Sequence, residues 1–184
     1  MSQSRLKKLY NEKIVKDLRK EFKLDNDLAV PKVTKVVVSV GITEEQHQDQ
    51  ALQNFAEQLK VITGQKPKIT QAKKSIAGFK LRAGDSIGLM VTLRGNRMYQ
   101  FIDKLFSIVL PRVKDFQGVK RTAFDKNGNY SLGIEEQIVF PEIEYGKIDK
   151  VRGLQVTFVT NTHDSQQAEK LLEMFGMPFV KEEK

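Results

Sequence analysis

The sequence predicts an α+β domain in which a mostly antiparallel sheet carries its helices on one face. Three observations point to it. Val33–Val40 is a β-branched run and Gly153–Thr160 alternates apolar with polar residues, so both read as strands. Apolar residues recur at helical spacing in four other stretches. The strands are joined in some places by short turns and in others by helices, a pattern of α+β architecture. Such a sheet leaves its second face free for a partner.

The elements follow in order. Leu6, Tyr10, Ile14, Leu18 and Phe22 recur every four residues and make one stripe of an amphipathic helix, with Lys7, Lys8, Lys13, Lys16, Arg19 and Lys20 on the other faces. Asp25-Asn26-Asp27 ends it. Pro31 opens the first strand and Gly41 closes it. Thr43 with Gln46 makes a capping-box start for a second helix, whose stripe is Leu52, Phe55, Ala56, Leu59 and Ile62. Gly64 is its C-cap and Pro67 stops it. A short strand, Lys68-Ile69-Thr70, leads into a loop from Ala72 to Gly84. Ser86–Leu93 is a strand with Gly88 inside it. Gly95-Asn96 turns the chain and Asn96 caps a third helix with apolar face Met98, Phe101, Ile102, Leu105, Ile108 and Val109. Arg112–Asn129 has little periodicity and reads as a long, functional loop. Tyr130–Ile134 and Gln137–Phe140 are short strands or extended pieces. Asp164 with Gln167 caps the last helix, whose stripe is Ala168, Leu171, Leu172 and Phe175. Gly176 and Pro178 end it, before a charged tail. With no repeat, low-complexity segment or linker, residues 1–184 are expected to form a single domain.

A chain of 184 residues can bury a full core without staples. It has 31 basic and 23 acidic residues, net +8, with a pI near 9.5, which points to a polyanionic partner. There is no cysteine, so disulfides, thiolate zinc sites and cysteine nucleophiles are excluded. The N-terminus, Met1 to Lys8, has no apolar core behind its charges and does not read as a secretory signal. No apolar run approaches the roughly 18 residues of a membrane span. The charge is also concentrated. Between Glu57 and Asp85 stand Lys60, Lys66, Lys68, Lys73, Lys74, Lys80 and Arg82, with no acidic residue among them. In their midst, Phe79 is placed to stack on a base or wedge between backbones. A solvated lysine-rich loop is the plainer reading, but the rest of the chain mixes signs and this window does not.

Catalytic chemistry has little to stand on. His47 and His163 sit in polar contexts near helix starts and read as surface residues. Glu142 and Glu144 would share a strand face, yet lysines nearby make a solvated surface the simpler account. No phosphate-binding glycine loop and no His or Cys cluster for a metal is present, so neither a cofactor nor a metal is expected. The first helix lacks Trp and carries Glu12, Asp17 and Glu21 among its lysines, which argues against a membrane surface. It packs its stripe on the core and leaves its lysines toward RNA.

Several motifs now converge. Gly64-Gln65-Lys66-Pro67 precedes Ala72-Lys73-Lys74-Ser75-Ile76-Ala77-Gly78-Phe79-Lys80-Leu81-Arg82. Val91-Thr92-Leu93-Arg94-Gly95 follows, then Leu110-Pro111-Arg112-Val113-Lys114-Asp115-Phe116-Gln117-Gly118. Phe124-Asp125-Lys126-Asn127-Gly128-Asn129-Tyr130, Glu136–Ile143 and Val151-Arg152-Gly153-Leu154 complete the series. In this order and spacing they resemble the bacterial large-subunit ribosomal protein five family, the 5S rRNA-binding protein of the central protuberance. The resemblance implies a two-layer fold, a curved sheet with helices on its convex side. It implies a cytoplasmic, ribosome-bound structural protein, not an enzyme, that attaches 5S rRNA to the large subunit beside neighbouring rRNA and proteins. It further implies that the basic loop reaches peptidyl-site tRNA and that another region meets a small-subunit head protein across the subunit interface.

The resemblance places the 5S rRNA contacts at Ser39, Gln65, Thr92 and Arg94. Ser39 stands where the family has an asparagine, and its hydroxyl is shorter with one donor where an amide has two. Thr43 stands where the family commonly has a second glycine. The tRNA contacts fall on Lys73, Lys74, Ser75, Ala77, Gly78, Phe79, Lys80 and Arg82. Taken singly, Arg94 offers a planar fork for a phosphate or base edge. Thr92 either bonds a ribose hydroxyl or is a good strand residue, and Gln65 either reads a base edge or decorates a turn. Lys73, Lys74, Lys80 and Arg82 suit phosphate neutralisation rather than sequence reading. Glycines and charge repulsion favour a loop that stays mobile until tRNA arrives. The alternative function is a sequence-tolerant RNA chaperone. Such proteins stack successive bases on several aromatics, whereas the basic region offers one.

Overall fold

The protein is described from a computed structural model, over residues 4–42, 48–144, 146 and 148–180. The expected capping pair Thr43 and Gln46, the Thr43 departure, His47 and the end of the charged tail lie outside the described residues. The fold is α+β, with five antiparallel strands in one open sheet. A first helical rod runs from α1 (Arg5–Leu9) through a π turn at Tyr10–Ile14 into α2 (Val15–Glu21). Then come β1 (Val33–Gly41), α3 (Gln48–Thr63), β2 (Lys68–Gln71), β3 (Ser86–Leu93) and α4 (Gly95–Lys104). α4 continues through a π turn at Leu105–Val109 and a 3-10 turn at Leu110–Arg112. β4 (Tyr130–Ile134), β5 (Leu154–Thr160) and α5 (Ser165–Met174) complete the chain. The strand order is β2-β3-β1-β5-β4. The valine-rich run of the sequence is thus the central strand, and the two shortest strands, β2 and β4, are the edges. Short edges limit the unpaired backbone offered to other chains.

Contacts gather into two compact units, divided within β1 after Val36 and within β5 before Thr157. The first holds Met1–Val36, Arg94–Leu132 and Thr157–Lys184. Its core is built from the predicted stripes: Leu6, Tyr10, Ile14 and Leu18 of the first rod, and Ala168, Leu171, Leu172 and Phe175 at the end of the chain, are all buried. Tyr10 meets Tyr99 and Phe175 at ring-centre distances of 6.3 and 5.8 Å, and its hydroxyl donates to the Pro31 carbonyl at 2.9 Å. Asp164 caps α5 by accepting from the Gln166 N–H at 2.9 Å, while its expected partner Gln167 bonds the Thr162 hydroxyl instead.

Two expectations fail in this unit. Ile108 is 46 % exposed, and Phe106 is buried in its place. The π turn at Leu105–Val109 is the cause: it adds a residue to the turn and shifts the phase of every position after it. Asn96 does not cap α4 either. The helix starts at Gly95 (φ +59°), Arg94 is the N-cap residue without a side-chain cap bond, and Asn96 Oδ1 is buried with no hydrogen-bond partner among the described residues.

The second unit holds Val37–Leu93 and Gly133–Val156. α3 buries Leu52, Phe55, Leu59 and Ile62, and β1 and β3 contribute Val38, Val40, Leu89, Val91 and Leu93. As expected, Gly64 ends α3 in the left-handed region, at φ +66°, its N–H bonded to the Lys60 carbonyl at 2.8 Å. Gln137–Val139 is a 3-10 turn rather than a strand. The reason is a buried polar pin. The Gln137 amide donates to the Lys150 carbonyl at 2.8 Å and accepts the Arg152 N–H at 2.5 Å, and its own N–H bonds the Arg152 carbonyl at 3.1 Å. A strand would turn that side chain away from those partners. Glu142 stands in a turn and Glu144 in irregular backbone after it, so they share no strand face.

Candidate nucleic-acid interface

Alternation along the strands of the second unit separates two faces. Val38, Val40, Leu89, Val91 and Leu93 are buried, so Ser39, Met90 and Thr92 point the other way and are only half-buried. The register of β2 on β3 pairs Lys68 with Met90 and Thr70 with Gly88, which puts Lys68 and Thr70 on that same face. Gln155 joins it from β5, between the buried Leu154 and Val156. The face thus presents hydroxyls, amides and an ammonium, and among the described residues of this unit its strands bring no carboxylate to it. Alternation with Val91 and Leu93 accounts for Thr92 here, whereas Ser39 was named only by the family resemblance. Lys68, Thr70 and Gln155 needed the pairing register, which the sequence does not state.

Gln65 is held in place rather than loose on a turn. Thr63 donates its hydroxyl to the Leu59 carbonyl at 2.7 Å and accepts the Gln65 N–H at 3.3 Å. The Gln65 side chain then donates to the Thr92 carbonyl at 3.2 Å. This bond uses one of its two amide donors. The structure therefore brings together Gln65 and Thr92, with Ser39 on the same face. Arg94 belongs to the first unit. It is exposed, and its extended backbone (φ −140°, ψ 164°) leads into α4.

The basic loop folds as a closed hairpin. At its base the Ala72 N–H bonds the Asp85 carbonyl at 2.8 Å and the Gly84 N–H bonds the Ala72 carbonyl at 2.9 Å. Higher up, Ile76 and Leu81 exchange both backbone bonds, at 3.0 and 3.2 Å. A 3-10 turn, Ala77–Phe79, forms the tip, and Lys80 closes it in the left-handed region at φ +53°. Two side chains fasten the second arm: Asp85 accepts the Arg82 N–H at 2.7 Å and Ser75 accepts the Ala83 N–H at 3.0 Å. The sequence anticipates a mobile loop here, whereas its backbone is internally satisfied over most of its length. Lys73, Lys74, Lys80 and Arg82 are exposed on this frame, and Phe79 stands 70 % exposed at the tip. Asp85 is the residue that sequence reasoning missed. It marks the end of the acid-free window, yet its carboxylate serves the backbone.

The acidic surface of this unit lies elsewhere. Glu57, Glu142 and Glu144 line a groove with Asn54, Gln58, Val61 and Ile143. In the same unit Arg152 clamps Asp149 with two bonds of 2.9 and 3.0 Å, and that hydrogen-bonded guanidinium holds the Asp149 carboxyl below its ordinary range. In the first unit Asp125 is likewise lowered, chiefly by the side chain and N–H of Asn129. Among the described residues no group of three or more His, Asp or Glu side chains is arranged to hold a metal, and His163 is exposed. No described helix is long and apolar enough to cross a membrane.

Two family models match this chain. One, described as ribosomal protein L5, covers residues 26–82, and the other, described as the C-terminus of the same ribosomal family, covers residues 86–179. The first spans Ser39, Gln65 and most of the hairpin; the second begins at β3 and takes in Thr92 and Arg94.

Proposed function

Because the chain belongs to the L5 family of ribosomal proteins, rRNA-binding structural proteins of the large subunit and not enzymes, we propose that its open sheet face is the 5S rRNA site and its basic hairpin the tRNA site. The observation that carries this is the contrast between the two surfaces. The sheet face offers Ser39, Gln65 and Thr92, with Arg94 just after β3: hydroxyls, an amide and a guanidinium suited to ribose hydroxyls, base edges and phosphates. Its shape is fixed by strand pairing and by the Gln65–Thr92 bond, as recognition of a preformed RNA requires. The hairpin offers Lys73, Lys74, Lys80 and Arg82 as exposed cations around one aromatic, Phe79, with Ser75, Ala77 and Gly78 shaping its frame. That chemistry suits a phosphate backbone met in passing, such as peptidyl-site tRNA.

The small-subunit head contact falls on a surface of different charge. A basic ribosomal protein would be repelled by the hairpin and attracted by the groove of Glu57, Glu142 and Glu144, where Val61 is 56 % exposed. We propose that contact there.

Point variants test the division between sheet and hairpin. Arg94→Ala should weaken 5S rRNA binding about tenfold or more, the effect of losing a charged contact. Lys73→Ala with Lys74→Ala should change it only a few-fold. The reverse ranking in a filter-binding titration would assign 5S rRNA to the hairpin.

A further inference from the structure

The chain has no cysteine, so its five methionines carry all of its sulfur. They are not placed alike. Met98 and Met177 are packed in cores, at 2 % and 4 % exposure. Met174 is half-buried at the end of α5, in the first unit, and Met1 lies outside the described residues. Met90 is half-buried in β3, where Leu89 and Val91 turn to the core and it turns to the open sheet face. Its neighbours there, all within the second unit, are donors. The register of β2 on β3 sets Lys68 directly across from Met90, and side chains paired in this way stand about 5 Å apart at their β-carbons. Thr92 follows on the same face. The Thr70 hydroxyl leans over Gly88, 3.1 Å from where a β-carbon on that glycine would stand. A thioether asks little of these groups, because its sulfur is a weak acceptor.

We propose that Met90 is a redox-sensitive modification site: a peroxide converts its thioether to the sulfoxide, and the sheet face then holds RNA more weakly. The step balances without a further reactant. The Met90 sulfur attacks one oxygen of hydrogen peroxide, an S–O bond forms and the O–O bond breaks. Sulfur gives up two electrons, and the second oxygen leaves as water with the proton of the transferred one. The product is polar where the thioether was apolar. Its oxygen is a good acceptor, and the side chain is flexible enough to turn it back onto the sheet. Lys68 is the charged donor that the register sets opposite, and an ammonium that bonds the sulfoxide is withdrawn from phosphate. The sulfoxide dipole also points a negative oxygen toward an incoming RNA backbone. Oxidation thus costs the face one cation and adds a repulsive group, while packing spares Met98 and Met177. The inference rests on reading this face as the 5S rRNA site.

The test treats the full chain with hydrogen peroxide, alone and in complex with 5S rRNA, and follows each methionine by peptide mass spectrometry. In the free protein Met90 should oxidise severalfold faster than Met98 and Met177, and 5S rRNA should shield it. The oxidised protein should bind 5S rRNA about tenfold more weakly, as for a lost charged contact, with a log–log salt slope smaller by about 1. Met90→Leu conserves volume and should keep its affinity and slope through the same treatment. Methionine sulfoxide reductases for the two sulfoxide epimers should restore the wild type. Lys68→Gln should show the smaller slope before oxidation and lose little more after it, because the two changes act through one contact. Oxidation at Met90 that leaves 5S rRNA affinity unchanged overturns the proposal. So does a Met90 that oxidises no faster than Met98, and so does an equal loss in oxidised Met90→Leu, which moves the effect to another methionine. Thr92→Ala, run in parallel, keeps this apart from the 5S assignment. If that variant weakens 5S rRNA and oxidation does not, the oxidation proposal alone has failed; if neither weakens it, the sheet face is not the 5S rRNA site.

Discussion

A methyl group at Gly88 would stand 2.3 Å from the Val40 carbonyl oxygen and 3.1 Å from the Thr70 hydroxyl. The first of these cannot give way cheaply, because it is backbone of the central strand. This glycine lets β3 lie flat between β1 and β2, and so keeps Ser39, Thr70 and Thr92 on one surface. Gly88→Ala should destabilise the fold by about 1–3 kcal/mol, the usual cost of forcing an extra methyl into a packed site. A thermal melt checks it, and an unchanged melting temperature would mean that the strands separate without cost. A second residue-scale prediction concerns acid. Asp149 is held below its ordinary value of 3.8 by the Arg152 guanidinium. A carboxyl depressed in the folded state contributes stability above its unfolded value, and that contribution is lost as pH falls through the folded value. Wild type should therefore lose melting temperature as pH drops below about 4, and Asp149→Asn should lose less over that window. Parallel melting curves would remove Asp149 from the acid response.

At the scale of elements, what the sequence disclosed depended on how local each signal is. Gly64 and Gly176 end their helices as expected, because a left-handed C-cap is written in one residue. β3 and β4 match their expected bounds, since a period of two persists through each. Ile108 misled because the π turn changes the helical period without a marker in composition. Gln137–Val139 misled because its shape is set by Lys150 and Arg152, distant in sequence. Gln65 was open between a base reader and a turn residue, and its bond to Thr92 is a long-range fact of the same kind. The hairpin gives a test at this scale. If Asp85 fastens its second arm, Asp85→Ala should speed amide exchange at Arg82 severalfold while the Ile76–Leu81 pair keeps its protection. Loss of protection throughout the hairpin would mean that Asp85 holds the whole loop.

For the molecule as a whole, charge is sorted rather than merely abundant. A net charge of +8 would bind any polyanion, and by itself it licenses nothing more specific than an RNA chaperone. In the second unit Lys73, Lys74, Lys80 and Arg82 share one hairpin, the strands of the open sheet face bring Lys68 and polar groups but no carboxylate among the described residues, and Glu57, Glu142 and Glu144 line a separate groove. This sorting was only partly legible in the sequence. The acid-free window was visible along the chain, but the sheet face is assembled from strands far apart in it. A surface of fixed hydroxyls and amides should discriminate between RNAs, whereas lysines alone should not. The most direct test is filter retention of 5S rRNA at two salt concentrations with excess bulk tRNA as competitor. Specific recognition by the sheet face predicts binding that survives the competitor, with a log–log salt slope of about −3 to −6 for a handful of phosphates. Displacement by an equal mass of tRNA with a steeper slope would contradict it, leaving nonspecific electrostatics and a sequence-tolerant chaperone.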